Sequence, residues 1–122
     1  MPHVTPKHRY FVEIYNYNEE KVTAEVILTP GDEKKIAEVV LHFDGGFFAD
    51  WKLSGFSVWR KVDGSWSVTF PQQTWMERGE RRRFTFLRPE EERKRDAWGV
   101  LEQEILRATV KASEEWQKET TS

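Results

Sequence analysis

The chain contains no cysteine. Disulfide bonds, thiolate metal sites and cysteine nucleophiles are therefore excluded, and a cytoplasmic home is expected. Excess charge is also scarce. A net charge of −2 gives the whole molecule no long-range attraction for a polyanion, so any such attraction must come from a local patch. Long apolar runs are missing too. No stretch approaches membrane-spanning length, and the opening residues MPHVTPKHRY lack the apolar core of a secretory signal. No glycine-rich phosphate loop, nucleophile elbow or Ser-His-Asp order occurs, so enzymatic activity is not expected. The three histidines, His3, His8 and His42, include no pair at helical ligand spacing. Neither a metal nor another cofactor is expected.

What remains is a 122-residue chain that is 38% apolar, 33% charged and 14% aromatic, which suits one globular domain with a highly charged surface. Its central feature is Leu53 to Gln73, LSGFSVWRKVDGSWSVTFPQQ. Two alternating runs flank Asp63-Gly64, a dipeptide that tolerates positive φ and signals a hairpin. Pro71 ends the second run because it has no N–H to give a ladder. Upstream, Arg9 to Tyr17, Val22 to Leu28 and Ile36 to Phe43 alternate as strands. Ala37, Val39, Leu41 and Phe43 share one side of the third. Pro30-Gly31-Asp32 reads as a turn, with proline at its second position and glycine at its third. Phe47 to Trp51 is compatible with a short strand. Gln72 to Gly79 reads as a loop and Arg81 to Leu87 as an edge strand.

Pro89 opens the one long helix expected. It would carry Glu90, Glu91 and Glu92 in its first turn, at the positive end of the helix dipole. An apolar stripe follows at spacings of three and four: Trp98, Leu101, Ile105, Ala108, Ala112 and Trp116. Gly99 interrupts good helix formers, and close packing is the reason expected. The fold class is α+β: an antiparallel sheet of four to six strands with one long C-terminal helix packed on it. Residues 1–9 are expected to form a flexible leader, 10–117 the single domain, and 118–122 a frayed tail.

The run GFSVWRKVDGSWSVTFPQQ resembles the strand–turn–strand of the SpoVG family of bacterial sporulation and septation proteins, with Thr69-Phe70-Pro71 standing for that family's "MPS". Arg78-Gly79-Glu80 and Arg83-Phe84-Thr85-Phe86 resemble the turn and strand that follow in the family. Pro89, Arg95, Trp98, Leu101 and Ile105 resemble its helix. The match covers roughly Phe47 to Leu106. It implies a non-enzymatic homodimeric regulator that binds DNA or RNA through residues after the "MPS" strand and at the helix start.

The charges between Glu77 and Arg95 fit that implication: eight cations stand against five carboxylates, an excess of three. Arg81, Arg82 and Arg83 on the strand, with Arg93, Lys94 and Arg95 at the helix start, are the expected contacts to the nucleic-acid backbone. Trp75 is the candidate for base stacking. Trp59, out of phase with Phe56 and Val58, belongs on the opposite sheet face or in a partner chain. Trp59, Ile105 and Trp116 are the candidate dimer contacts. Trp66 and Trp98 are in phase with apolar neighbours and are assigned to the core. His42 is expected to face solvent or to be hydrogen-bonded. Gln72, Gln73 and Thr74 replace the family's basic residues. That replacement motivates an alternative: a protein-interaction or assembly module without nucleic-acid binding. A third reading is a carbohydrate or small-ligand site on exposed tryptophans.

Overall fold

The computed structural model describes residues 8–85, 87, 88, 90 and 95–121. Five strands form one antiparallel meander in chain order: β1 (Arg9–Tyr17), β2 (Glu20–Leu28), β3 (Lys35–Asp44), β4 (Lys52–Arg60) and β5 (Trp66–Thr69). β6 (Gln72–Glu77) and β7 (Glu80–Thr85) make a separate two-stranded ribbon, and α1 (Arg95–Thr121) follows. The architecture is α+β. No helix among the described residues is long and apolar enough to cross a membrane.

The turns follow from their residues. Asp32 N donates to Thr29 O, and Gly31 takes φ +92°, as a turn with Pro30 at its second position requires. The β4–β5 connection spans Lys61 to Ser65. Gly64 adopts φ +90°, and the Asp63 carboxylate accepts from both Ser65 N and Ser65 Oγ. Gly55 sits at φ +111° where the β3–β4 register slips, and a Cβ there would press on Pro71. The prolyl ring that ends the hairpin thus packs on the kink of the neighbouring strand.

One sheet face is apolar and buried beneath α1. Val12, Ala24, Val26, Leu28, Ala37, Val39, Leu41, Phe56 and Val58 meet Ile105, Ala108 and Ala112 there. Trp66 and Trp98 both pack against this core, as their phase predicts. Phe70 stacks on Trp98 with centroids 4.2 Å apart and meets Phe56 edge-on at 5.3 Å. Thr109, also buried, satisfies its hydroxyl by donating to Ile105 O.

Several boundaries differ from the expectation. His8 is already held: its carbonyl accepts from Leu28 N and its ring meets Trp116 edge-on. Arg9 begins β1, so the flexible leader does not extend to residue 9. At the other end α1 continues to Thr121, with Tyr10 Oη donating to Glu119 Oε1, so Lys118 to Thr121 are helical rather than frayed. Helix α1 starts at Arg95, and Glu90 lies outside it. Pro89 and residues 91–94 fall outside the described residues. The stripe's first packed side chain is Trp98. Phe47 to Asp50 form a turn, not a strand. Gln72 to Glu77 form a strand, not a loop. A Cβ on Gly99 would meet nothing, so close packing is not its reason, and nothing in the structure explains it.

Candidate functional site

Of the eight cations singled out in the sequence, four, Arg78, Arg81, Arg82 and Arg83, lie on the β6–β7 ribbon and its turn. Its register pairs Thr74 with Arg83, Trp75 with Arg82 and Met76 with Arg81. Directly opposed residues share a face. The arginines therefore divide. Arg82 lies with Gln73, Trp75, Glu77, Glu80 and Phe84, while Arg81 and Arg83 lie with Gln72, Thr74, Met76 and Thr85.

The two faces differ electrically. Arg82 has carboxylates within reach on its own face: its Nε is 3.4 Å from Glu77 and its Nη2 is 3.5 Å from Glu80. Arg81 and Arg83 share their face with no carboxylate of the ribbon, and among the described residues they form no ion pair. Every residue from Gln72 to Phe84 is exposed. The two-residue turn Arg78-Gly79, with φ +54° and +78°, closes the ribbon tightly. Arg88 lies over the Phe84 ring at 4.7 Å.

Of the helix-start cations, Arg93 and Lys94 fall outside the described residues. Arg95 is the first residue of α1, with its side chain also outside them. The three dimer candidates fare differently. Ile105 is fully buried in its own core, so it has no surface to offer a partner; the stripe that suggested an interface is consumed by the sheet. Trp116 also packs on its own chain, against His8 and the core, because the helix is long enough to reach the far end of the sheet. Trp59 is on the face opposite the helix, as its phase predicts. Its Nε1 donates to Thr69 Oγ1, and Lys35 Nζ lies 5.3 Å from its ring.

That second sheet face holds a polar network that sequence reading did not anticipate. Glu25 is only 8% exposed although no helix covers it. Its carboxylate accepts from Arg9 Nε at 3.0 Å and lies 2.7 Å from His42 Nε2. The cross-strand placement of Glu25 on β2 between β1 and β3 makes this three-strand clasp. His42 is thus hydrogen-bonded, one of the two states its strand position suggested. A signal existed: a glutamate amid Ala24, Val26 and Leu28 needs a partner on the face it enters.

Beside the network, the β3–β4 loop displays aromatic rings. Phe47 is 91% exposed, and Phe48 and Trp51 are exposed as well. Phe47 packs edge-on against Phe48, which tilts against Phe43. The loop is well tied: Asp50 N donates to Phe43 O, Trp51 N to Phe48 O, and Phe43 N to Trp51 O. Gly45, at φ +85°, lies so close to the β1–β2 turn that a Cβ would collide with the Glu19 carbonyl.

An apolar groove of about 530 Å³ runs between the start of α1 and the sheet, lined by Ile14, Val22, Leu41, Phe43, Leu53 and Leu101 among others. No cluster of three metal-ligating side chains exists among the described residues. Comparison with protein-family models, with curated proteins and with solved structures returned no match.

Proposed function

We propose that this chain is a non-enzymatic nucleic-acid-binding regulator that lays its β6–β7 ribbon against the nucleic acid. One observation carries the reading. The ribbon is exposed along its length, and one face carries Arg81 and Arg83 without a carboxylate, beside Gln72 and Thr74. A duplex major groove about 12 Å wide admits a two-stranded ribbon. Arginine suits bidentate pairing with phosphate or guanine, glutamine with adenine, and threonine with a thymine methyl. The resemblance of the preceding hairpin to the SpoVG family supports the same assignment.

The test is a fluorescence-anisotropy titration of a labelled oligonucleotide duplex. R81A/R83A should weaken binding about tenfold or more, since each bidentate arginine pair is worth about 1–3 kcal/mol. The salt slope should fall by about 0.9 for every phosphate that an arginine no longer neutralises. R82A, whose charge is already met by Glu77 and Glu80, should matter less. An unchanged dissociation constant in R81A/R83A would refute the proposal.

A second reading rests on the apolar groove beside Val100, which is exposed on α1. Residues 89–94 read PEEERK and offer no large apolar side chain to fill it. A second copy of the chain, presenting its own Phe47 and Phe48, would supply one. In that arrangement sedimentation gives a dimer mass that V100D reduces to one chain; a single-chain mass for the unaltered protein would dismiss it.

A further inference from the structure

The ribbon leaves a second site unassigned, on the opposite sheet face where the β3–β4 loop folds over it. An open cleft of about 510 Å³ is lined there by Phe11, Thr23, Asp44, Asp50, Trp51 and Lys52, together with Lys21, His42 and Phe43. We propose that this cleft binds a neutral, hydroxyl-rich ligand, a short saccharide.

Three features carry the assignment. The first is the presence of Trp51 and Phe11 in one lining, 68% and 62% exposed. A pyranose presents a face of C–H groups that an aromatic ring covers well; Trp51 is open to such contact, and Phe11 tilts against the His42 ring with centroids 6.1 Å apart. Neither Trp51 nor Phe11 is recruited to the core beneath the sheet.

The second is charge balance. Lys21 and Lys52 are matched in number by Asp44 and Asp50 around the same cleft. His42 is engaged by Glu25, whose charge Arg9 also meets. A polyanion would meet two carboxylates and a cation would meet two ammonium groups, each a repulsive encounter. A neutral ligand with many hydroxyls meets no such opposition. Each hydroxyl can donate to a carboxylate and accept from an ammonium group.

The third is availability. The side chains of Asp44, Asp50 and Lys52 form no hydrogen bond or ion pair among the described residues. Among the described residues the Lys21 ammonium group approaches one carboxylate, that of Glu13, at 3.9 Å. The backbone that carries these groups is held in register. Lys21 lies opposite Asp44, and Thr23 opposite His42, in the β2–β3 register, and His42 lies opposite Lys52 in the β3–β4 register. Trp51 is fixed by backbone hydrogen bonds at both its N–H and its carbonyl. The donors and acceptors stand on three adjacent paired strands and the loop between two of them, so their backbone needs little ordering on binding. The volume falls within the range of small-molecule clefts, about 300–1,000 Å³.

The test is an NMR titration of the full ¹⁵N-labelled chain with cellotriose, maltotriose and chitotriose, and with adenosine monophosphate as the charged counterpart. At least one saccharide should shift the Trp51 indole N–H and the amides of residues 44–52 saturably at millimolar concentration. W51A should weaken that binding about tenfold, the loss of one stacking partner, and W51F should restore most of it. D44N/D50N should weaken it while leaving the amide spectrum of the sheet intact. R81A/R83A should leave it unchanged, which separates this site from the ribbon. No saturable shift with any saccharide, shifts confined to the ribbon, or a response to adenosine monophosphate alone would each overturn the proposal.

Discussion

Truncating Phe70 to alanine tests how the helix is fastened to the sheet. Phe70 is 4% exposed and immediately precedes Pro71. Its ring lies between Phe56 on β4 and Trp98 in the first turn of α1, nearly parallel to the indole at an interplanar angle of 9°. Phe→Ala changes in a core cost about 3–5 kcal/mol, depending on how far the site can collapse. Here a cleft of about 150 Å³ already opens beside Phe70, Leu87 and Trp98. Trp98 can therefore be wetted from one side, which places F70A near the lower figure, about 3 kcal/mol. A domain of total stability about 5–15 kcal/mol would lose a substantial fraction of it.

Urea denaturation followed by far-ultraviolet circular dichroism measures the loss. With a slope of about 1–3 kcal/mol/M, the midpoint should fall by about 1–3 M. A double-mutant cycle with W98A isolates the stacked pair. The two substitutions should couple by about 0.5–1.5 kcal/mol. A cost for F70A below about 1 kcal/mol, or strict additivity with W98A, would refute the claim that this stack seats the helix start.

Two pH effects follow from side chains near opposite edges of the sheet. Tyr10 has its pKa pushed up to about 12 by burial first, and then by its bond to Glu119 and the negative charges of Glu119 and Glu115. The folded state holds this proton more tightly than the unfolded chain. The contribution is therefore complete below pH 10 and disappears as pH rises through about 12. Thermal melts across that window should show stability falling less steeply in Y10F, and identical slopes would contradict the linkage. Asp63 is held below its ordinary 3.8 by hydrogen bonds from the Ser65 hydroxyl and then from the Ser65 amide. Its contribution is present above 3.8 and fades as pH falls through the folded value. In S65A, carboxylate titration by NMR should move Asp63 back toward 3.8; no movement would sink the assignment of cause.

Much of the fold can be read from the residues because its signals are strong and mutually consistent. Ala37, Val39 and Leu41 alternate without interruption, and all three are buried. Pro30-Gly31 carries its turn chemistry in two residues, and the structure adopts it. Ile105, Ala108 and Ala112 follow helical spacing and form the buried seam. The failures fall where local pattern is weak. Gln72 to Glu77 has no apolar alternation, since both its faces are exposed. Only the short Arg78-Gly79 turn between two runs of six residues marks it as a hairpin. Among the described residues Glu90 lies outside α1 although it follows a proline and opens a run of three glutamates, the local signs of an N-terminus; the first packed side chain of the stripe is Trp98.

The candidate sites are less readable, for a geometric reason. The charge excess near residues 77–95 is plain in one dimension. Its division into an acid-paired face and an open face depends on cross-strand register. The clasp of Glu25 with Arg9 and His42 likewise brings together residues from three strands. The phase of Trp59 does predict its sheet face. The burial of Ile105 depends on how much of the stripe the sheet covers.

Gly45 joins two turns that are far apart in the chain. Its bare α-carbon lets the β3–β4 loop rest on the carbonyl of Glu19, in the β1–β2 turn, so the two bends at this end of the sheet behave as one body. Lengthening the bend at Asn18 and Glu19 by a residue would consequently be felt at Trp51, two strands downstream. The opposite bend at Gly31, where an added methyl would meet nothing, could absorb the same insertion without disturbing the aromatic display.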